Sequence, residues 1–310
     1  MPEQKTLTVQ ERMRLDKLLV RTWPELHRRA VRDMLKEGQV LINGQPARKP
    51  GQYVEPEDEV VAAMPEVEAP PDPAYISPHT LEVVYEDPDL LVIDKPAGLL
   101  THAKRRAEGE TLAQMVAEAY PEMAHVGGVD RAGIVQRMET EVSGLLLAAR
   151  NEEVYRTLKR MVKRQQVERR YSVLVEGMLS GEETIDAPIG NVKNTRKRRL
   201  MVAREGRPAV TYFRALRTYR SEGRHYTLLD VRPETGRLHQ IRVHLAWLGT
   251  PVVGDTIYGS SRQWVLSDRL FMHLGVLSLP HPVSEEPLQI SSVLPEELAS
   301  ILRFMARPGP

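Results

Sequence analysis

Hydrophobic residues near the start of the chain recur at helical spacing and then give way to a strand pattern. The helical stripe consists of Leu26, Ala30, Val31, Met34 and Leu35. Steps of three and four residues are typical of an amphipathic helix, and Gly38 follows as a helix stop. The apolar run 40–42 then leads into Asn43-Gly44, which is a strong tight-turn signal. The pattern predicts two helices followed by a β-hairpin in this first module.

A proline-rich segment interrupts the hydrophobic pattern after the first module. Five prolines lie between Met64 and Thr80, and few apolar residues accompany them. Proline-rich chain is stiff and extended, which is typical of a linker. The sequence therefore predicts a module at residues 1–63, a linker at 64–80 and a larger domain at 81–310.

Short apolar segments of both kinds alternate irregularly after the linker. Strands are predicted at 81–85, 90–94 and 145–149, and helices at 111–120 and 154–163. Four further segments fit either a strand or a helix, namely 171–176, 210–216, 226–232 and 240–248. Since no regular strand-helix-strand spacing is present, the pattern favours an α+β domain built on a largely antiparallel mixed sheet.

Composition narrows the chemistry open to the chain. The 310 residues include no cysteine, which excludes disulfides, thiol nucleophiles and cysteine-ligated metal sites. No apolar run is long enough to span a bilayer, and the N-terminus lacks the apolar core of a secretory signal. We expect a cytoplasmic protein, and nothing in the sequence requires more than a monomer.

Charge is nearly balanced overall but unevenly distributed. The formal net charge is +1. One basic cluster contains Arg156, Lys159, Arg160, Lys163, Arg164, Arg169 and Arg170, and a second contains Lys193, Arg196, Lys197, Arg198, Arg199 and Arg204. Local basic stripes on a neutral protein suit a polyanion bound to one face, although each stripe also fits an ordinary solvated surface.

The segment 133–144, Gly-Ile-Val-Gln-Arg-Met-Glu-Thr-Glu-Val-Ser-Gly, carries the most specific signal. It resembles the catalytic loop of the RluA/RluD-type RNA pseudouridine synthases, whose pattern is G-I-V-H-R-L-D-x-x-T-S-G. Further segments match other motifs of that family in order, namely 92–102, 186–190, 207–211, 235–245, 254–259, 280–283 and 286–288. The resemblance covers nearly all of the chain after the linker.

The first module resembles the small alpha-L RNA-binding module of a small-subunit ribosomal protein. The match rests on segments 14–19 and 35–44. Such a module is expected to grip the RNA backbone and its shape rather than its sequence. The residues that the resemblance assigns to RNA here are Arg14, Lys17, Arg28, Arg29, Arg32 and Lys36.

The larger domain's resemblance implies isomerisation of uridine to pseudouridine in RNA, without a metal or other cofactor. The target nucleotide must be flipped out of the stack before the reaction. The resemblance places Glu139 at the catalytic carboxylate, Arg242 as its cationic partner, and Arg137 as the residue that helps to flip the base. Tyr171 matches the aromatic residue that stacks on the uracil, although a tyrosine in a strand is also often a packed core residue.

Other residues are expected to contact RNA. This set comprises Lys95, His102, Arg196, Lys197, Arg198, Arg237 and His239. His239 and His244 could also indicate a metal site, but a spacing of five does not place them on one helical face and no cysteine or carboxylate completes a ligand set. We therefore expect no metal site. The alpha-L module and the RluD-like layout together indicate large-subunit ribosomal RNA as the target.

Glu139 departs from the family pattern, which has Asp at the catalytic position. Gln136, Met138, Val142 and Leu238 are further departures near the predicted site. Three interpretations are open: a pocket that has adjusted to glutamate, an RNA-binding pseudoenzyme or ribosome assembly factor that has lost the chemistry, or a deliberate alteration. An active enzyme requires Glu139 to touch Arg242, with Tyr171 across an open pocket. A binding-only protein could instead turn Glu139 away or fill the pocket with Met138 and Leu238.

Overall fold

The computed structural model describes residues 4–23, 31, 34–63, 79–103, 110–128, 130–191, 200–259, 266 and 269–306. The chain forms two compact units, of which the first comprises residues 1–78 with 128–130 and the second comprises the remainder. Most of the predicted linker at 64–80 lies outside the described residues.

The first unit combines a small sheet with helix α1. Its strands are β1 (Gln4–Leu7), β2 (Met13–Arg14), β3 (Val40–Ile42), β4 (Gln45–Pro46), β5 (Tyr53–Val54) and β6 (Val60–Ala63), and α1 is Leu15–Thr22. The order β1-β6-β3-β4 is antiparallel throughout, and β2 pairs with β5. Residue 31 and residues 34–36 are helical, which agrees with the second predicted helix as far as it is described.

The predicted hairpin of this unit is confirmed. Asn43 and Gly44 join β3 to β4 with positive φ angles of 52° and 71°. Both angles belong to the tight turn whose twist matches that of paired strands, and asparagine and glycine tolerate them best. Val31 and Met34 of the predicted helical stripe are buried in the core with Leu15 and Leu19. Leu26 and Ala30 lie outside the described residues.

The second unit is built on one large sheet. Its strands are β7 (Glu82–Glu86), β8 (Leu90–Lys95), β9 (Ser143–Ala149), β10 (Glu168–Glu176), β11 (Glu182–Asp186), β14 (Val210–Ser221), β15 (Arg224–Pro233), β16 (Met272–Pro280) and β17 (Pro287–Ser291). A separate hairpin is formed by β12 (Ile189–Asn191) and β13 (Leu200–Val202). Among the described residues the large sheet has nine strands in the order β11-β14-β15-β10-β16-β9-β8-β7, with β17 on β16.

One strand pair departs from the antiparallel pattern of this sheet. Strands β9 and β16 run parallel and share only two register pairs, His273 with Ser143 and Leu274 with Gly144. The other strand pairs described in the large sheet are antiparallel. The predicted α+β class with a largely antiparallel mixed sheet is therefore confirmed.

Four helices of the second unit are described, namely α2 (Leu112–Ala119), α3 (Glu152–Lys163), α4 (Gln240–Trp247) and α5 (Glu296–Met305). The predicted helices at 111–120 and 154–163 correspond to α2 and α3. The main core includes the buried side chains of β8, β9 and α2, together with side chains from α3, α4 and the other strands of the sheet. A smaller core on β10, β14 and β15 is covered by α5. No described helix is long and apolar enough to cross a membrane.

Candidate active site

The loop that carries Glu139 begins at a glycine that the backbone geometry requires. Gly133 has φ +72°, and a Cβ at this position would lie 2.0 Å from the carbonyl oxygen of Ala149. The amide of Val135 then donates to the carbonyl of Leu147 at 3.0 Å, which aligns the start of the loop beside β9. The loop is thus anchored to the central sheet before it reaches Glu139.

The segment after β8 holds the middle of this loop. The Thr101 hydroxyl donates to the carbonyl of Met138 at 2.9 Å and accepts from the Met138 amide at 3.1 Å. The amide of Gly98 donates to the carbonyl of Thr140 at 2.7 Å. Because these bonds fix the backbone on both sides of Glu139, the position of its Cα is set by tertiary contacts.

Lys95 was predicted to contact RNA, but the structure places its side chain in the protein interior. Its side chain is fully buried, and its ammonium donates to the carbonyls of Pro96 at 2.7 Å and Leu99 at 2.9 Å. Burial and the nearby Arg269 guanidinium together lower the pKa of Lys95 to about 7. Lys95 therefore stabilises the turn that holds the Glu139 loop.

We expect the Lys95→Met substitution to make the free energy of unfolding less dependent on pH. The pKa of Lys95 is about 7 in the fold and 10.5 in its ordinary state. Between these values the unfolded chain binds more protons, so this residue makes the free energy of unfolding rise with pH. Urea unfolding of both proteins between these pH values would measure the difference, and parallel pH profiles would contradict the assignment.

Glu139 and Asp255 lie on two sides of one buried arginine. Arg242, on α4, donates through Nη1 to a carboxylate oxygen of Glu139. Its Nε and Nη2 bind Asp255 in a bidentate pair at 2.7 and 2.8 Å. Asp255 is fully buried, whereas the Glu139 side chain remains 21% exposed. Only Glu139 of the two carboxylates can therefore meet a substrate.

The electrostatics of this group keep Arg242 and Asp255 charged. Burial alone would lower the pKa of Arg242, but hydrogen bonds and charge interactions with Asp255 and Glu139 raise it. Burial would likewise raise the pKa of Asp255, but its bonds to Arg242 and to the amides of Tyr258 and Ile257 lower it. A buried guanidinium with two carboxylate partners is a fixed cation, and it orients the exposed carboxylate beside it.

His239 and Tyr258 complete the wall next to Arg242. The Nε2 atom of His239 lies 3.6 Å from Glu139 Oε2, and its Nδ1 lies 2.9 Å from the Tyr258 hydroxyl. The Tyr258 ring lies beneath the Arg242 guanidinium, 5.3 Å from ring centroid to Cζ. Burial lowers the pKa of His239, and the charge of Glu139 partly opposes this effect. We therefore expect His239 to be neutral near pH 7.

Tyr171 lies on β10 next to a register shift. The pairing of β10 with β16 slips between Arg170 and Tyr171, and the Tyr171 side chain is half-buried against the main core. Burial raises the pKa of its hydroxyl, Arg169 lowers it, and the negative charge of Glu139 raises it. The negative charge of Glu139 is thus one of the influences on the pKa of the Tyr171 hydroxyl.

The remaining predicted site residues are distributed around the loop or lie outside the described residues. Arg137 is exposed beside Glu139, and Arg237 is half-buried with its Nε bonded to the carbonyl of Pro208 at 2.8 Å. His102 is half-buried and follows Thr101. The predicted RNA contacts that lie outside the described residues are Arg28, Arg29, Arg32, Arg196, Lys197 and Arg198.

Sequence reasoning missed the roles of Asp255 and Tyr258, and it expected Leu238 or Met138 as possible pocket fillers. Asp255 and Tyr258 belong to the segment 254–259 that matched the family, but nothing in a linear sequence pairs that segment with α4. Met138 is buried in the main core, and Leu238 is 47% exposed. Neither side chain takes the place of Glu139 beside Arg242.

One group of described residues has the composition of a metal site. Ligand atoms of Asp87, Asp89 and His281 lie within 4.8 Å of one another. The Asp87 carboxylate already accepts hydrogen bonds from the Tyr85 hydroxyl at 2.6 Å and from the Asp89 and Leu90 amides, and it lies 3.0 Å from His281 Nε2. These bonds brace the β7–β8 turn, and they leave the carboxylate little capacity for an ion.

The histidine pair considered as metal ligands from the sequence is divided between two environments. His244 is buried, with Nδ1 2.9 Å from the Thr211 hydroxyl and Nε2 2.9 Å from the carbonyl oxygen of Ala187. His239 instead faces Glu139 and Tyr258. Both ring nitrogens of His244 are occupied, so it braces α4 against the sheet.

Comparison with known proteins agrees with this geometry. Residues 89–247 match the RNA pseudouridylate synthase family, and residues 13–60 match the S4 domain. The chain is 35% identical to the uncharacterized RNA pseudouridine synthase YlyB of Bacillus subtilis, over 97% of this chain and 96% of that protein. It is 34% identical to ribosomal large subunit pseudouridine synthase D of Xanthomonas campestris, over 93% and 88%. Identity to the same enzyme of Escherichia coli K12 is 31%, over 97% and 94%.

Solved structures show the same fold at lower identity. The human RNA pseudouridylate synthase domain containing 1 protein superimposes with a TM-score of 0.57 at 24% identity, and covers 76% of this chain and 100% of its own. The motifs of the Glu139 loop and of α4, the mixed sheet that brings them together and the matches over nearly the whole chain have one explanation: the chain belongs to the RNA pseudouridine synthase family and carries an N-terminal S4 domain.

Proposed function

We propose that this chain isomerises uridine to pseudouridine in RNA, with the Glu139 carboxylate in the role that its family gives to aspartate. The observation that carries the proposal is the contact between Glu139 and the buried Arg242. A glutamate that had lost its function would be free to turn into solvent from an exposed loop. Here the side chain instead lies against a cation that is itself fixed by Asp255.

The reaction assigns a distinct task to each side chain. The carboxylate acts on the ribose as the C1′–N1 bond breaks, the uracil turns, and C5 joins C1′. The proton on C5 leaves, and N1 of the product carries a proton, so the product is an isomer of the substrate. Arg242 orients the Glu139 carboxylate, and Tyr171 provides a ring against which a uracil can stack. Arg137 is exposed beside Glu139 and is suited to occupy the space of a flipped base.

The target that we propose is large-subunit ribosomal RNA. Two lines support it: relatives in Xanthomonas campestris and Escherichia coli are named ribosomal large subunit pseudouridine synthase D, and the chain carries an S4 domain. The test is to incubate the protein with unmodified transcripts of both ribosomal RNAs and map pseudouridine by carbodiimide-dependent primer-extension stops. We expect new stops in the large-subunit transcript, and stops confined to the small-subunit transcript would refute the target.

The S4 domain is expected to contribute RNA affinity through its exposed cations. Lys17 and Lys36 are exposed on this unit, and Arg14 is exposed while paired with Asp16 at 2.7 Å. We expect Lys17 and Lys36 each to neutralise one phosphate. Replacing both by alanine should then reduce the slope of log binding constant against log salt concentration by the amount that corresponds to about two phosphate contacts. Filter binding at several salt concentrations measures this slope. The single-turnover rate constant at saturating RNA is the control, and it should not change.

The alternative function is an RNA-binding protein without synthase activity. The observation that favours it is the replacement of the family aspartate by Glu139. Both functions predict RNA affinity that falls with salt, so binding alone does not separate them. They differ in whether the unaltered chain forms pseudouridine.

A further inference from the structure

A chain of hydrogen bonds crosses the sheet at the end of the Glu139 loop. Arg269 Nη2 donates to the Ser143 hydroxyl at 2.7 Å, and this hydroxyl lies 2.9 Å from Nδ1 of His273. On the other side of the ring, His273 Nε2 lies 3.2 Å from the Ser292 hydroxyl. The Ser292 hydroxyl in turn donates to the Asp94 carboxylate. These five side chains are named the His273 relay below.

The proton positions in the His273 relay follow from its two ends. A guanidinium can only donate, so Arg269 occupies one lone pair of the Ser143 hydroxyl and leaves the hydroxyl proton available to an unprotonated Nδ1 of His273. A carboxylate can only accept, so the Ser292 hydroxyl donates its proton to Asp94. The same hydroxyl must therefore accept a hydrogen bond from Nε2 of His273. The Asp94 end therefore places the proton of a neutral imidazole on Nε2, and the Arg269 end is compatible with the same ring.

The His273 relay lies where the sheet has least backbone support. Ser143 and His273 face each other in the parallel β9–β16 pairing, which has only two register pairs. Ser143 is the first residue of β9, and it directly follows the loop that contains Glu139. The amide of Leu270, in the segment leading to β16, also donates to the carbonyl of Glu141 at 3.1 Å. Side-chain bonds thus supplement a short ladder at the point where the loop enters the sheet.

We propose that the His273 relay is a positioning device, which fixes the end of the Glu139 loop through a single neutral tautomer of His273. Its effect on catalysis rests on the proposed function of Glu139, whereas its effect on the loop does not. Ser143, His273 and Arg269 are buried, so none of the three is assigned a contact with substrate. They act through the backbone that carries the catalytic carboxylate.

The charges around His273 favour the neutral ring. Burial and the Arg269 guanidinium together lower the pKa of His273 to about 4, although a hydrogen bond to the Ser292 backbone partly opposes both. The neighbouring elements add Asp94 and Lys95 from β8, Glu82 from β7, Glu141 from the loop, and Glu297 of α5, which pairs with Arg269. A protonated ring would face the Arg269 guanidinium and lose its bond from Ser143, so the relay is intact at neutral pH.

The first test observes the tautomer in the unaltered full chain. Histidine-selective ¹⁵N labelling and NMR distinguish a protonated from an unprotonated ring nitrogen. The His273 resonances, assigned by loss of signal in His273→Gln, are expected to show protonated Nε2 and unprotonated Nδ1 at pH 7. A proton on Nδ1, or an imidazolium at that pH, would overturn the proposal.

The second test removes one hydroxyl group from the His273 relay. Ser292→Ala removes the hydroxyl that links His273 to Asp94. Ser278→Ala on β16 is the matched control, since its hydroxyl makes a 3.4 Å surface contact with Gln289. We expect hydrogen exchange in the backbone of residues 134–142 to become about tenfold faster in Ser292→Ala alone. Where the enzyme is active, kcat should fall about tenfold with KM unchanged, and Ser292→Thr, which keeps the hydroxyl, should restore both readouts.

Failure of the two proposals can be told apart. Unchanged exchange in Ser292→Ala relative to the Ser278→Ala control would overturn the relay as a positioning device, whatever the activity. Faster exchange in a chain that forms no pseudouridine would support the relay and count against the proposed function. Ser143→Ala supplies a second variant at the other side of the ring, and it is expected to give the same faster exchange.

Discussion

Replacing Arg242 by methionine is expected to abolish pseudouridine formation and to destabilise the second unit by about 3–5 kcal/mol, as measured by urea unfolding. The change removes a buried cation from between Glu139 and Asp255. Asp255 is then left fully buried without its bidentate partner, which is the condition under which a broken buried ion pair costs most. Glu139 also loses the group that orients it, so the rate of pseudouridine formation should fall in addition to the free energy of unfolding.

Arg150→Met is the matched control for this substitution. Arg150 also bridges two carboxylates, Glu86 at 2.8 Å and Glu122 at 2.9 Å, but those partners are largely exposed. Surface pairs of this kind contribute about 0–1 kcal/mol, so we expect little loss of stability and no loss of activity. Equal destabilisation by both substitutions would contradict the role assigned to burial.

The pH dependence of the Arg242→Met effect has a definite sign. In the unaltered chain the pKa of Asp255 lies below its ordinary value of 3.8, so its stabilising contribution is present above that value and is lost as the pH falls through the folded pKa. In the variant, burial without a cation raises the pKa of Asp255, so acid relieves the unpaired charge. The difference in unfolding free energy between the two proteins should therefore narrow toward acid pH.

Glu139→Gln is expected to reduce the rate of pseudouridine formation by about 10³-fold or more, with RNA affinity unchanged. The amide oxygen of glutamine can still accept from Arg242, and the side chain keeps its length, so the fold of the loop is retained. What is lost is the negative charge beside the ribose. Single-turnover kinetics with saturating RNA would measure the loss directly, and retained activity would exclude Glu139 as the catalytic group.

Glu139→Asp is the companion substitution, because it keeps the charge and removes one methylene. The backbone on both sides of residue 139 is fixed by bonds from Thr101 and Gly98, so the shorter carboxylate cannot follow Arg242. A displacement of about 1 Å can lower the rate by about 10²-fold. We therefore expect a slower but measurable reaction, and a rate above that of the unaltered chain would contradict a pocket adjusted to glutamate.

Turn residues and the spacing of apolar residues were sufficient to predict several helices and the first hairpin. The hairpin at Asn43-Gly44 and helices α2 and α3 follow from turn residues and periodic apolar positions. Helix α4 remained ambiguous because residues 240–245 are all buried, so it has no polar face to reveal a helical period. Strand β11 was not recognised because it is a largely polar strand at the end of the sheet order, with Ile185 as its one buried residue among five.

The site could be predicted only as far as motifs name single residues. The motifs identified Glu139, Arg242 and Tyr171, but Lys95 was assigned to RNA because a basic residue in a motif resembles a phosphate contact. Its burial under the Pro96 and Leu99 carbonyls depends on how the chain turns after β8. The positions of Asp255 beside Arg242 and His273 beside Ser143 depend on pairings between distant segments, which a single sequence does not specify.

The central claim is that Glu139 is a working catalytic carboxylate, and tritium release tests it most directly. Ribosomal RNA labelled with 5-³H-uridine loses tritium when C5 joins C1′, so release reports the isomerisation itself. The unaltered chain is predicted to release tritium and Glu139→Gln to release none above background. No release by the unaltered chain, together with release by Glu139→Asp, would contradict the claim and show that one methylene keeps the site from reacting.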